Sequence, residues 1–455
     1  MTSKRTRRTG RGPVRHLSRL NGAVAAALIA AASFAFPVGQ ARAEIAAPPS
    51  LAQDVGAFYA SRQQRPLWLQ GGQLTPAGHE LLRLFNSASF DRLDPNRYMT
   101  AGLSKALGAA ARGDARAAQR AEQLLSQAFV AYARDLRSAP YAGMNFVDAS
   151  LRPAPPAPRS LLADAAAASS LTEYVQNMQW MNPLYAPLRR ALSTNNYSSG
   201  RERGLLQVNL ERARALPAGR GRFVLVNAAA QKLFMYENGQ PVDSMRVVVG
   251  KPKNATPMMA ALIRFASLNP YWNVPPDLAA ERIAPGVLKE GERHLRVRGY
   301  QVLSTWDDNA QVVDPNTVDW QAVADGRTEV RVRQLPGPGN AMGQMKFMFP
   351  NQFGVYLHDT PEKELLSEAS RLYSGGCVRL EDAPRLARWL FGRELEASSN
   401  QPELPVPLPG PVPVVITYLT AVPSGSSIVY FDDIYGRDAQ RLAQLGGGAG
   451  AVGSH

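Results

Sequence analysis

The sequence predicts an α+β chain: a mostly helical first part, then a mostly β second part. Two observations carry that expectation. Between about Ala52 and Leu136, apolar residues recur at three- and four-residue spacing (Leu81, Leu82, Leu84 and Phe85, later Leu124, Leu125 and Phe129) among many alanines, the period of an amphipathic helix. Beyond about residue 219, short apolar runs separated by turn residues replace that pattern, as strands require.

At the N-terminus, MTSKRTRRTGRGPVRHLSRL is basic, Ala23–Phe36 is apolar, and small residues stand at Ala41 and Ala43. That order is a secretory signal over residues 1–43, cleaved after Ala43. Its apolar run is short of the ~20 residues that span a bilayer; an uncleaved anchor is the alternative. Arg7–Arg8 resembles a twin-arginine pair, but Thr-Gly-Arg after it fits such a signal poorly, so the export route is left open. Residues 44–218 read as a helical domain, broken by the proline-rich RPAPPAPR at 152–159 and resumed through LLQVNLERARAL at 205–216. RFVLVN (222–227), QKLFMY (231–236) and MRVVVG (245–250) form a predicted meander, with Asn238–Gly239 as a hairpin turn. Further strands are predicted at 261–268, 329–335, 345–349, 354–358 and 412–420, within a second domain over 219–425. The irregular stretch at about 276–343, with PPD, APG and PGPGN, reads as a capping lobe. A C-terminal segment, 426–455, ends in a glycine-rich tail of low complexity, expected to be disordered.

The formal charge of +14 overstates the exported chain, because residues 1–43 carry eight basic residues and no acidic one; without them it is +6. That is too weak to argue for nucleic acid and suits an anionic wall polymer. No later segment is long and apolar enough to span a membrane, so the chain after cleavage is expected to be soluble outside the cytoplasm.

Cys377 is the single cysteine, which excludes a disulfide framework. In an oxidising compartment a lone thiol is either buried and inert or a nucleophile. Its neighbours in RLYSGGCVRL favour the second reading: Gly375 and Gly376 let a backbone come close to a substrate and free N–H groups to point into a site. A thiol nucleophile needs a base. Of the five histidines, His16 is in the signal and His455 in the tail; His79 reads as a helix-surface residue and His294 as a solvated one in a charged loop. His358 ends a strand in GVYLHDTP, 19 residues before Cys377, and makes the one plausible Cys–His pair.

YLHDTPEKELL…RLYSGGCVRLED resembles the active-site signature of the YkuD-type L,D-transpeptidases, a histidine followed at some distance by Ser-x-Gly-Cys-x-Arg. VVVGKPKNATP (247–257), NPYWNVP (269–275), VDW (318–320), RQLPGPGNAMGQMKFMFPN (333–351) and DDIYGRD (432–438) are similar, in the same order, to segments of the larger periplasmic branch. FYASRQQRPLW (58–68) resembles the start of that branch's helical scaffold. Two departures stand out: residues 185–217 pass from scaffold to catalytic domain without the small peptidoglycan-binding domain of larger members, and Gly375 stands where many members have histidine.

The resemblance implies a peptidoglycan acyltransferase. Its Cys377 thiolate attacks the carbonyl at the L-centre of meso-diaminopimelate in a donor stem peptide and expels D-alanine. An acceptor stem peptide then completes a 3,3 or 1,3 cross-link. It implies His358 as proton acceptor and donor, oriented by the backbone carbonyl of Asp359. Gly376 and Cys377 N–H groups and the Tyr356 hydroxyl would hold the oxyanion, Ser374 and Gly375 would belong with them to the oxyanion and substrate-binding set, and Trp272 would meet substrate. Arg379 either holds a substrate carboxylate or braces the loop. No cofactor or metal is implied, carbapenems are expected covalent inhibitors, and the periplasm is the expected compartment. Carboxypeptidase action, D-amino-acid exchange or attachment of a protein to the wall by the same site are alternatives, as is a non-enzymatic wall-binding scaffold.

Rival classes lack their residues. A penicillin-binding enzyme needs Ser-x-x-Lys, which the chain does not contain. A zinc hydrolase needs clustered ligands, and the histidines are scattered with no HExxH. A papain-like peptidase has its cysteine before its histidine, the reverse of the order here.

Overall fold

The computed structural model describes residues 49–138, 143–219, 221–307 and 309–447. The secretory signal expected over 1–43 and the part of the glycine-rich tail beyond 447 lie outside the described residues.

The first half packs helices α1 (Leu51–Ser61), α2 (Pro76–Asn86), α3 (Ala101–Ala111), α4 (Ala115–Ser138), α5 (Pro158–Ala167), α6 (Leu171–Gln176), α7 (Tyr185–Ser193) and α8 (Gly200–Ala213) around α4. Between α1 and α2 lies a small hairpin, β1 (Leu69–Gln70) and β2 (Gln73–Leu74); β3 (Asn145–Phe146) follows α4. In α4 the buried residues Ala121, Leu125, Phe129, Tyr132 and Leu136 return to one face at helical spacing, which is why it becomes the axis. α2 starts where the Thr75 side chain accepts the Gly78 N–H and Pro76 occupies the first turn. Buried carboxylates tie the helices together. Asp91 accepts the hydroxyls of Tyr132 (2.5 Å) and Tyr185 (2.8 Å) and the Arg189 Nε (2.9 Å), so its charge is fully partnered. Glu122 accepts the Tyr59 hydroxyl at 2.6 Å and backbone N–H groups of Leu67, Trp68 and Leu69.

The second half is a sheet that closes on itself. Strands β4 (Phe223–Asn227), β5 (Lys232–Glu237) and β6 (Gln240–Gly250) form the predicted antiparallel meander. Its turn, Asn238–Gly239, has φ of 51° and 78°, as a primed hairpin turn requires. β7 (Met259–Leu268) leads to the lobe, whose sheet of β8 (Trp272–Val274), β9 (Tyr300–Leu303), β10 (Val312–Val313) and β11 (Arg331–Gln334) runs in the order β10-β9-β11-β8. Helices α9 (Pro276–Leu278), α10 (Ala284–Glu290), α11 (Glu292–Val297) and α12 (Trp320–Ala324) cover it. The chain returns through β12 (Met345–Met348), β13 (Leu357–His358), β14 (Leu372–Ser374), β15 (Val378–Leu380), α13 (Ala383–Phe391) and β16 (Leu404–Thr417). The order β12-β13-β15-β6-β5-β4-β16-β7 is closed by β7 pairing back to β12, while β3 of the helical half pairs with β7 at Met259 and Ala260. A last hairpin, β17 (Ala421–Ser424) and β18 (Ser427–Tyr430), precedes α14 (Arg437–Gly447). α14 returns to α8, where Arg212 pairs with Asp438 and Arg441 with Glu211.

Burial follows these contacts. One continuous core runs from Phe129, Tyr185 and Leu206 of the helices into Val224, Val247, Phe347 and Ile416 of the sheet. The lobe has a core of its own around Val274, Leu278, Ile283, Trp320 and Val332, with Tyr356 packed against its edge.

Two strands differ from expectation, each for a visible reason. The segment predicted at 354–358 is strand only at its last two residues, because Asn351 folds the preceding loop by bonding Phe349 O, Val355 O and the Phe353 and Val355 N–H groups. The strand predicted from 412 instead starts at Leu404. Its Pro405 and Pro407 lie where only β7 pairs with it, so the missing N–H groups break no second ladder; proline is absent where β4 joins the other edge, at Val414–Thr417.

Candidate active site

The parallel pairing of β13 with β15 brings the histidine and the cysteine together. Its register sets Leu357 opposite Val378 and His358 opposite Arg379, so Cys377 enters the site one residue before the ladder begins. His358 is buried, and its Nδ1 lies 2.6 Å from the Asp359 carbonyl oxygen. An Nδ1–H donated there leaves Nε2 as the free lone pair. The Asp359 carboxylate has other partners: Oδ1 accepts Lys363 Nζ (2.8 Å) and Oδ2 accepts the Gln344 N–H (2.9 Å). Gly343 beside it has φ of 63°, and a Cβ there would fall 2.3 Å from Asp359 Oδ2. Cys377 is partly exposed; its thiol donates to the Gly354 carbonyl at 3.5 Å, and no bond between Cys377 and His358 occurs among the described residues.

The turn before the cysteine is tightly held. Ser374, 2% exposed, donates its hydroxyl to Cys377 O (2.6 Å) and accepts the Gly376 N–H (3.0 Å). Gly376 has φ of 122°, a conformation that a side chain would strain. Gly375 sits under the lobe: a Cβ there would lie 3.1 Å from Leu278. The Gly376 N–H, expected as an oxyanion donor, is thus engaged by Ser374. Arg379 is buried and paired with Glu362, which fits the bracing role. Tyr356 packs against the lobe's core and lies close enough to Cys377 to feel its charge. Trp272 belongs to that core instead: it is 8% exposed, pairs across β8–β11 with Gln334 and lies 6.3 Å from the Tyr300 ring, so packing occupies it. His294 also departs from expectation. It is buried in α11, stacked on Tyr300 and close to Glu290 and Arg298, and Gly286 makes room for its ring. His79 is exposed on α2, as expected.

Residues 221–416 match the family model described as the L,D-transpeptidase catalytic domain (YkuD), and residues 53–192 match one described as a scaffold domain. The chain carries a YkuD L,D-transpeptidase catalytic domain behind a scaffold domain. A Haemophilus influenzae protein described as "Putative L,D-transpeptidase" is 31% identical over 289 residues, 61% of this chain and 57% of its own length. The chain thus spans little more than half of that relative. Among solved structures, an L,D-transpeptidase from Mycobacterium smegmatis is 14% identical over 44% of this chain and 60% of its own, with a TM-score of 0.22. Bd1075 of Bdellovibrio bacteriovorus is 14% identical over 50% and 56%, with a TM-score of 0.17.

Within the transpeptidase domain, charge and burial set a neutral resting pair. Burial, then the Arg379 guanidinium, lowers His358 to about 3, against a smaller opposite pull from the Asp359 carbonyl. Burial raises the Cys377 thiol, partly offset by the Tyr356 N–H and by the cations Arg379 and Lys346. Tyr356 is raised by burial and by the nearby Cys377 and Glu403, which keeps its hydroxyl a donor. Sequence reasoning passed over Lys346. It is the cross-strand partner of His358, buried, bound to Glu403 at 2.8 Å and 5.7 Å from the Tyr356 ring centre. A lysine in the otherwise apolar MKFMF run was the signal for it.

Proposed function

We propose that this chain is a peptidoglycan L,D-transpeptidase in which Cys377 is the nucleophile. The observation that carries the reading is a ring held at Nδ1 by the Asp359 carbonyl, on the strand beside the only thiol. The Cys377 sulfur attacks the carbonyl at the L-centre of meso-diaminopimelate in a donor tetrapeptide while His358 Nε2 takes the thiol proton. The Cys377 N–H and the Tyr356 hydroxyl hold the oxyanion. As the intermediate collapses, His358 returns the proton to the departing D-alanine amine and a thioester remains. An acceptor amine, deprotonated by His358, then attacks the thioester; an amide forms and the thiol is restored. Transfer to a second diaminopimelate yields a 3,3 link, to an L-alanine a 1,3 link, to water a shortened stem peptide. The basic leader and apolar run support a periplasmic location for this chemistry, and carbapenems are the inhibitors expected to acylate the same sulfur. Mass spectrometry of muropeptides after incubation with a tetrapeptide substrate tests the reading. It expects cross-linked dimers and released D-alanine; cleavage elsewhere in the stem, or no product, overturns it.

A further inference from the structure

The segment Asp432–Asp438, DDIYGRD, takes no part in the chemistry above, yet it reaches the nucleophile's turn. It joins the β17–β18 hairpin to α14 and is organised by Asp433. One Asp433 oxygen accepts the Tyr418 hydroxyl (2.9 Å); the other accepts the N–H groups of Asp438 and Ala439 (3.0 Å each). The Tyr435 N–H donates to the Tyr418 hydroxyl at 2.9 Å, and the Arg437 guanidinium lies 5.0 and 4.9 Å from the Tyr418 and Tyr435 ring centres. Two donors project from this knot. The Tyr435 hydroxyl donates to Gly250 O at 2.7 Å, and Arg437 Nη2 donates to Thr256 O at 2.8 Å.

Gly250 and Thr256 are the two ends of one tight turn. A Cβ on Gly250 would fall 2.0 Å from Asn254 O, so the turn can close this far only on glycine. Closure lets the fully buried Thr256 hydroxyl accept the Gly250 N–H (2.9 Å) and donate to Gly376 O (2.9 Å). From its other side the turn reaches the lobe, through Asn254 to Asp277 (3.3 Å) and Lys253 to Glu281.

Gly376 O and the Cys377 N–H belong to the same planar peptide unit and point in opposite directions. Holding the carbonyl on Thr256 therefore aims the Cys377 N–H the other way. We propose that Tyr435 and Arg437 are positioning residues that act through Thr256 to aim the Cys377 N–H at the oxyanion of the acyl-transfer step. The proposal rests on the reading of Cys377 as nucleophile given above.

The experiment compares two reactions of the same thiol in the full chain. Acylation by p-nitrophenyl acetate, and by the tetrapeptide donor, builds an oxyanion; alkylation by iodoacetamide does not. Tyr435→Phe, Arg437→Gln and Thr256→Val should each slow acylation about tenfold or more, since losing a whole oxyanion donor costs ~10²–10³-fold. Alkylation should stay within about twofold of the parent, because thiol ionisation is untouched. Thr256→Ser, which keeps the hydroxyl, should restore acylation. Thermal midpoints identify a variant that does not fold, and Tyr435→Phe and Arg437→Gln then carry the comparison. Equal rates in all variants, a parallel fall of both reactions, or a serine variant as slow as valine would overturn the proposal. A parent chain that is acylated by the ester but not by the tetrapeptide would instead count against the transpeptidase reading, leaving the ester arm to decide this one.

Discussion

His358 and Cys377 rest as a neutral pair, and that state has a kinetic signature. The imidazole has an ordinary value of 6.5 but is lowered to about 3, so it is already an unprotonated base throughout the range from about 5 to 7. The thiol is raised, so any thiolate forms only on the alkaline side. Iodoacetamide alkylation of Cys377 should accordingly rise with pH above neutrality and show no inflection between about pH 5 and 7. A clear step near pH 6.5 would mean an exposed, protonatable ring. His358→Gln removes the acceptor for the thiol proton, and acylation should fall about 100-fold or more with little change in thermal midpoint. Arg379 was undecided in the sequence between clamp and brace. Its pairing with Glu362, itself half exposed, could not be read from a motif that spaces the two residues 17 apart in an irregular loop.

Among the elements, those with strong periodicity were legible. The meander, its Asn238–Gly239 turn, the long buried face of α4 and the histidine at a strand end all follow from local pattern. What was not legible depends on partners distant in sequence. Trp272 and His294 could be assigned to the lobe's interior only once β8, β9 and α11 were packed together, since a tryptophan ahead of a proline-rich stretch serves equally well as a substrate contact or as core, and a histidine among charges reads as solvated. The capture of the Gly376 N–H by Ser374 is a rotamer choice within the turn, and composition carries no trace of it. The turn between β6 and β7 offers the test at this scale. Gly250→Ala would press a methyl group against Asn254 O, so the turn must open. The thermal midpoint should fall by several degrees, as an overpacked site costing ~1–3 kcal/mol does, and acylation should fall with it. An alanine variant indistinguishable from the parent would show that the turn is free to relax.

For the molecule as a whole, helices and sheet share one core, and the site lies where that body meets the capping lobe's own core. Stability and catalysis are therefore linked through the buried ring. Between about pH 6.5 and 3 the unfolded chain binds a proton on His358 that the native chain refuses, so this contribution is complete above about 6.5 and is lost as pH falls through that window. From pH 7.5 to 4.5 the parent's thermal midpoint should drop more than that of His358→Gln; equal slopes would remove the burial argument. If residues 1–43 are removed as a leader, as the proposed export requires, the formal charge of +6 should give weak sacculus binding that fades with salt, as the Debye length shrinks from ~10 Å at 0.1 M to ~3 Å at 1 M, while turnover of soluble tetrapeptide changes much less. Binding that persists at 1 M would instead mark a wall-recognition surface on the helical half. The identity of the nucleophile stands above all of these. Intact-protein mass spectrometry after brief exposure to the tetrapeptide donor, followed by peptide mapping, should find the stem tripeptide as an acyl adduct on the Cys377 peptide, and no adduct or turnover in Cys377→Ala. An adduct on another residue, or cross-linking by the alanine variant near the parent's level, would contradict the account.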